Sequence, residues 1–404
     1  MRETRVPEQR LQRSVSWPAL TFFGLGNILG AGIYVLVGKV AGLAGMLAPL
    51  SFALASLVAL FSALTYARLA VRYPQSAGEA VYLDEAFHAG WLSRGVGILI
   101  ALAGVVSAAT LTRGFAGYFQ VFAPWPTSAI VTLLVLLLGV VALSGMRQVA
   151  RVAVLLTLIE VGGLLLVAWA GRESLSELPA RINALVPSVN SAPWHGVFLG
   201  AFLAFYAYIG FEDMVNVAEE VKNPRRVMPI AILLALGVAT LLYALVAVIA
   251  VLVVHPAELA RSDAPLAEVY RQATGQAPVA ISVIGMLSVI NGVLVQMIMA
   301  SRVAYGMAKK GWVWHGFSRL DRQGHAPTTA TWLVMGLIWI FALWLPVEKL
   351  AAATSYLILI VFVLVNASLI AIEWRNRRRF ALVIPAIGLF SCLGLLLYQI
   401  ASVC

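Results

Sequence analysis

Charge is scarce in this sequence. Asp, Glu, Lys and Arg make up 11% of the 404 residues, while 61% are hydrophobic. Soluble domains carry about 25% charged residues, so this shortage excludes an ordinary water-soluble fold. Cysteine is nearly absent. Cys392 and Cys404 cannot build a disulfide framework. The five histidines, His88, His195, His255, His315 and His325, are scattered without metal-ligand spacing. No Gly-Lys-Ser/Thr phosphate loop occurs, which argues against direct drive by ATP. No serine or cysteine sits beside a base in a way that suggests intramembrane hydrolysis. No catalytic residue, metal or cofactor is expected, and an enzyme is disfavoured.

Long apolar runs are what the sequence has. Mean hydropathy is +0.92, and stretches long enough to cross a bilayer recur along the chain. We count eleven, at roughly 17–38, 47–71, 93–122, 127–145, 149–170, 194–218, 229–254, 278–305, 328–345, 349–372 and 380–403. The expectation is an all-α integral membrane protein forming one transporter domain over 1–404. Residues 1–16 are a polar, basic lead-in with no cleaved presequence expected. The connections at 172–193 and 255–276 show no pattern of a folded domain.

The net charge of +10 invites a nucleic-acid reading, but its distribution opposes it. Threading eleven spans alternately places 21 of the 28 Lys and Arg on one side, among them Arg2, Arg5, Arg68, Arg72, Arg147, Lys222, Arg225, Arg226, Lys309, Lys310 and Arg377 to Arg379. The other side has Lys39, Arg172, Arg181, Arg261, Arg271 and Lys349, and Arg113 sits within a span. This positive-inside bias puts the N-terminus in the cytoplasm and the C-terminus outside a multi-pass cell membrane protein. The basic face then contacts anionic lipid rather than nucleic acid. Tryptophans at span ends (Trp17, Trp91, Trp125, Trp169, Trp194, Trp344, Trp374) read as interfacial anchors.

Two spans are broken at matching places. The first holds Gly24-Leu25-Gly26-Asn27-Ile28-Leu29-Gly30-Ala31-Gly32, and the sixth holds Phe205-Tyr206-Ala207-Tyr208-Ile209-Gly210-Phe211-Glu212-Asp213. Glycine costs a helix about 1 kcal/mol relative to alanine, and open backbone survives at membrane depth only inside protein or a wet cavity. Spans 1–5 (17–170) and 6–10 (194–372) each open with a broken helix. Five is odd, so the second unit is an inverted repeat of the first, with span 11 (380–403) peripheral. Such paired breaks point to a transporter's central site. The half-helix starting after Gly32 suits a carboxylate, and the C-terminal end near Asn27 and Ile28 suits a cation. The natural ligand is a small zwitterion, and a side chain at Gly32 would occupy its space. The alternative is close helix packing through Gly26-xxx-Gly30.

These residues resemble the amino acid–polyamine–organocation superfamily of permeases with the LeuT-type fold. The resemblance covers about 15–375. Gly26-Asn27-Ile28-Leu29-Gly30-Ala31-Gly32-Ile33 is similar to its first-helix motif. Tyr66-Ala67-Arg68-Leu69 with Tyr73-Pro74-Gln75-Ser76-Ala77-Gly78-Glu79-Ala80-Val81-Tyr82 matches the signature after helix 2. Phe205 to Glu220, then Val221-Lys222-Asn223-Pro224-Arg225-Arg226, matches helix 6 and its loop. Ser301-Arg302-Val303-Ala304-Tyr305-Gly306 matches the end of helix 8. The resemblance implies that amides of Gly30, Ala31 and Gly32 hold a substrate carboxylate. It implies that carbonyls of Ile28, Tyr206 and Ile209 hold the amine, that Tyr206 or Tyr208 gates the site, and that Glu212 is the acid following the break. Two features depart from the pattern: most relatives have twelve helices, and some proton-coupled ones carry a lysine where Glu160 stands here.

Glu160 falls about twelve residues into span 5, near mid-bilayer, where an unpaired ionised acid costs several kcal/mol. It reads either as a proton carrier or as a structural acid satisfied by Arg113 or a backbone amide. Glu212 reads as a proton site, a gate, a contact to a basic substrate, or a helix cap. Ser288 and Asn291 face the site or bond between helices. The combined expectation is a secondary amino acid transporter working by alternating access and coupled to protons at Glu160 and Glu212. An amino acid or amine exchanger is the alternative, sodium replaces the proton in a third version, and a ligand sensor on a transporter scaffold is a different class.

Overall fold

The computed structural model describes residues 15–30, 32–74, 78–143, 149–185, 191–320 and 326–403. Ala31, the lead-in 1–14, Gln75 to Ala77, Arg147, His325 and Cys404 lie outside them. Every regular element among the described residues is helical, and the one extended pairing is an isolated bridge between Val15 and Val221. The helices are α1 (Trp17–Leu29), α2 (Gly32–Ala44), α3 (Ala48–Arg72), α4 (Gly78–Phe87), α5 (Gly90–Phe119), α6 (Thr127–Leu143), α7 (Val149–Ala170) and α8 (Leu178–Leu185). They continue as α9 (Ser191–Phe205), α10 (Pro224–Val253), α11 (Pro256–Arg261), α12 (Pro265–Thr274), α13 (Val279–Lys309), α14 (Thr328–Trp344), α15 (Val347–Arg375) and α16 (Val383–Val403).

Among the described residues, seven stretches are long and apolar enough to cross a bilayer, the bent pair Val154–Ala170 and Arg172–Leu185 adds an eighth, and α6 and α14 are shorter apolar helices. The stretch Trp17–Arg72 contains two crossings, because a 3₁₀ turn at Gly45–Leu47 separates α2 from α3. Counting the shorter α6 and α14 as well, the described residues hold an apolar helix for each of the eleven runs expected from the sequence. This is an all-α integral membrane protein. Trp17, Trp91, Trp125, Trp169, Trp344 and Trp374 are each at least half exposed, as interfacial side chains are.

Helix starts and stops follow local chemistry. Pro224, Pro256 and Pro265 occupy first helical positions, where a missing N–H costs nothing. Gly275, at φ +68°, ends α12, a left-handed cap that glycine adopts without strain. The connection 255–276 is thus more ordered than its sequence pattern predicts: it folds into α11 and α12.

Small residues let the long helices approach. α5 packs along α13, with Gly104 facing Ala300 and Gln296, the kind of contact that drives association where lipid is as apolar as leucine. α3 packs on α9 and α10, and α1 on α7 and α10. A polar clasp joins the last helix to the bundle. Thr65 donates to Asn366 Oδ1 at 2.7 Å, Asn366 Nδ2 donates to Ser62 at 3.1 Å, and Ser62 lies 3.4 Å from the Cys392 thiol of α16. All four side chains are buried.

Candidate substrate site at two helix breaks

The first break begins where Gly30 N–H makes the last bond of α1, to Gly26 at 2.9 Å, and turns away at φ −37°, ψ 56°. α2 restarts at Gly32, so its first-turn N–H groups have no partner within the helix. Ala31, expected to supply one of them, lies outside the described residues.

The sixth-span break is built differently. α9 tightens into a 3₁₀ turn at Tyr206–Tyr208, and Ile209 becomes extended at φ −67°, ψ 138°. Gly210 then takes φ +131°, a region closed to side chains. Glu212 to Glu220 follow as a 3₁₀ helix, much longer than the usual 3–4 residues. The Glu212 carboxylate accepts the Gly210 N–H at 2.8 Å.

The two breaks face each other. A Cβ at Gly210 would lie 2.7 Å from the Asn27 carbonyl carbon, one at Gly32 would lie 2.6 Å from Ala207 Cα, and one at Gly292 of α13 would lie 2.6 Å from the Gly30 oxygen. The expected reason for glycine at 32 therefore needs correcting. A side chain there meets the backbone of the second break before it meets any ligand.

Between the breaks lies a cavity lined by Asn27, Ile28, Gly30 and Gly32 from the first break, Tyr206 and Ile209 from the second, Ser107 and Leu111 of α5, and Gly292, Val295 and Gln296 of α13. Tyr206 and Ser107 are held together, with their hydroxyls 3.1 Å apart and Tyr206 also donating to the Ser107 carbonyl at 3.1 Å. Tyr208 is not among the lining residues. Its ring packs edge-on against Tyr243 at 5.2 Å. Tyr206 is thus the aromatic that faces the cavity.

Tyr243 of α10 escaped the sequence reading. Its hydroxyl lies 2.7 Å from the Ile28 carbonyl and 2.9 Å from that of Ala207. One buried side chain therefore staples both breaks and occupies part of the acceptor capacity expected for an amine. Its only signal was a lone phenol inside an apolar run.

An adjoining cavity shares Ser107, Ile209 and Gln296 with the first and adds Glu79, Glu212, Asp213 and Thr354. Gln296 Nε2 donates to Asp213 at 3.3 Å. Glu79 belongs to α4, outside the spans. Burial pushes its carboxyl up to about 8, the hydrogen bond from its own backbone opposes that, and the Asp213 charge adds to the rise.

Glu160 of α7 is fully buried. Asn291 Nδ2 donates to Oε1 at 3.1 Å, while Oε2 has no hydrogen-bond partner. The partner is therefore neither Arg113 nor a backbone amide, as the sequence had offered, because Arg113 donates to the Ala342 carbonyl at 3.2 Å. Asn291 precedes Gly292, which touches the first break, so one turn of α13 contacts both the acid and the cavity wall. Ser288 of the same helix is buried beside the Glu160 carboxyl. From the first broken span, Tyr34 of α2 donates to the Glu160 backbone carbonyl at 2.7 Å. Among the described residues, no group of three or more His, Cys, Asp or Glu is placed to hold a metal ion.

Comparison with known proteins places this geometry in context. Residues 15–403 match the family described as amino acid permease. The branched-chain amino acid permease BcaP of Bacillus subtilis is 29% identical over 96% of this chain and 89% of its own length. An uncharacterized transporter of Mycobacterium tuberculosis is 30% identical over 96% of this chain and 87% of its own. Cationic amino acid transporter 3, mitochondrial, of Arabidopsis thaliana is 28% identical over 92% of this chain and 64% of its own.

Proposed function

The chain belongs to the amino acid permease family and is an amino acid transporter, and from that premise we propose that it carries its substrate by alternating access, coupled to protons. The observation that supports this most is the meeting of two opened helices around one cavity. The N-terminal end of α2, which restarts at Gly32, attracts the carboxylate of a zwitterion, since a helix N-terminus carries about half a positive charge, and the resemblance adds the amide of Ala31, while the Gly30 N–H stays bonded to Gly26. Carbonyls of Ile28, Tyr206 and Ile209 receive the ammonium. Tyr206, fixed by Ser107, covers the bound molecule, and Tyr208 supports the break from behind. The two five-helix units act as an inverted repeat that rocks about this site. The Lys and Arg distribution supports a cytoplasmic N-terminus and an external C-terminus.

Glu160 is the proton carrier in this reading. An ionised carboxylate with one bare oxygen at this depth costs several kcal/mol, and a protonated one carries no charge. When water reaches it the proton leaves, and Asn291 transmits the change to the cavity wall at Gly292. Glu212, beside the second break, takes the proton on the other face. The exit of substrate thus follows deprotonation.

The test is uptake into proteoliposomes under an imposed pH gradient. Wild type accumulates substrate. Glu160→Gln, which mimics the protonated acid, still binds and exchanges substrate but loses gradient-driven accumulation. Wild-type accumulation by that variant makes Glu160 structural. Exchange by wild type with no response to the gradient replaces symport with antiport.

A further inference from the structure

Lys39 lies in α2, the half-helix that begins at the first break, and only 16% of its side chain is exposed. A lysine so enclosed needs oxygen partners for its three donors. It has three, each from a different part of the chain. Nζ donates to the Ala260 carbonyl of α11 at 2.9 Å, lies 3.1 Å from Glu348 in the first turn of α15, and lies 4.0 Å from Asp263 between α11 and α12. The backbones around it are pressed close. Gly38 abuts the Leu259 carbonyl, Gly42 faces Ala260, and Gly117 of α5 abuts the Asp263 carbonyl.

We infer that Lys39, Glu348 and Asp263 form an ionic latch that holds the α11–α12 face of the transporter shut and must release before the site opens on that face. α2 carries one wall of the cavity, so that wall cannot swing away from α15 and the α11–α12 segment while Lys39 bridges them. The three contacts converge on one ammonium. Moving α2 breaks them together, which makes the latch a two-position element. Its partners remain open to solvent, Asp263 at 75% and Glu348 at 45% exposed, so water can take over as the latch parts. The inference rests on the alternating-access reading and does not depend on which ion is coupled.

The test is labelling of Leu111→Cys, a lining position, by a membrane-impermeant thiol reagent in right-side-out and inverted vesicles, with Cys404 replaced by serine. Lys39→Met keeps the stem and removes the charge. Labelling from the α11–α12 face should rise about fivefold, as expected for losing a pair worth about 1 kcal/mol, and should not rise from the opposite face. Glu348→Gln, which leaves the Ala260 bond, should give a smaller rise and stands in if Lys39→Met does not purify. Unchanged labelling in both single variants overturns the latch, as does a rise from both faces. If labelling responds as expected but the protein moves no substrate, the latch stands and the transport reading falls.

Discussion

The two helix breaks solve one problem in opposite ways. In the first, α-helix ends at Leu29, with Gly30 bonded back to Gly26, and resumes at Gly32. In the second, the chain takes up its own strain: Gly210 adopts φ +131°, Glu212 accepts its N–H, and a 3₁₀ helix replaces the second half-helix. A break left open keeps backbone groups for a ligand, whereas a break capped from within has spent them on rigidity. On the proposed reading the first break receives the carboxylate, and the second is the more rigid frame that faces it.

Gly210→Ala should have the largest effect, because it strikes the rigid second break directly. The methyl would need a left-handed φ and would sit 2.7 Å from Asn27 backbone. A loss on the order of 3 kcal/mol or more is expected, read as a large fall in melting temperature with no uptake. Gly394→Ala, where an added Cβ meets nothing within 4 Å, is the control that should change little. A Gly210→Ala protein that melts and transports like wild type would mean that the frame is not rigid.

Tyr243→Phe should have the next largest effect. It removes the single hydroxyl shared by Ile28 and Ala207, and leaving buried carbonyls unpaired costs about 1–3 kcal/mol. Melting temperature should fall moderately and uptake more steeply, because both breaks loosen together. A fall in stability with uptake intact would assign Tyr243 to packing alone.

Glu79→Gln should act most gently and only through pH. The buried acid titrates at about 8 instead of the usual 4.5, so between those values the folded protein holds a proton that the unfolded chain has lost. Wild-type stability is therefore fully present below about pH 4.5 and declines as pH rises through 8. The Gln variant should lack that decline and melt above wild type at pH 8. Parallel melting curves across this range would place the Glu79 carboxyl in contact with water.

The spans and both breaks were legible in the sequence because they depend on local composition: apolar length, Gly24 to Gly32, and the Ile209-Gly210 step. Glu160 was legible as an acid at mid-span, but its partner was not. Asn291 is 131 positions away, and no periodicity connects them. Tyr243, Lys39 and Asn366 were missed for the same reason, since each acts through contacts that only the folded packing brings together. Choosing between Tyr206 and Tyr208 failed differently. Helical spacing cannot orient side chains where the helix has tightened to 3₁₀ and then stopped.

The account turns on the first break holding a carboxylate. The direct measurement is the melting temperature of the purified protein titrated with amino acids and, in parallel, with the matching decarboxylated amines. Ligands that bind only the folded state raise it in proportion to RT ln(1 + [L]/Kd). The substrate amino acid should raise it with concentration while its amine does not. An amine that stabilises as well as the amino acid would contradict the carboxylate site at the start of α2.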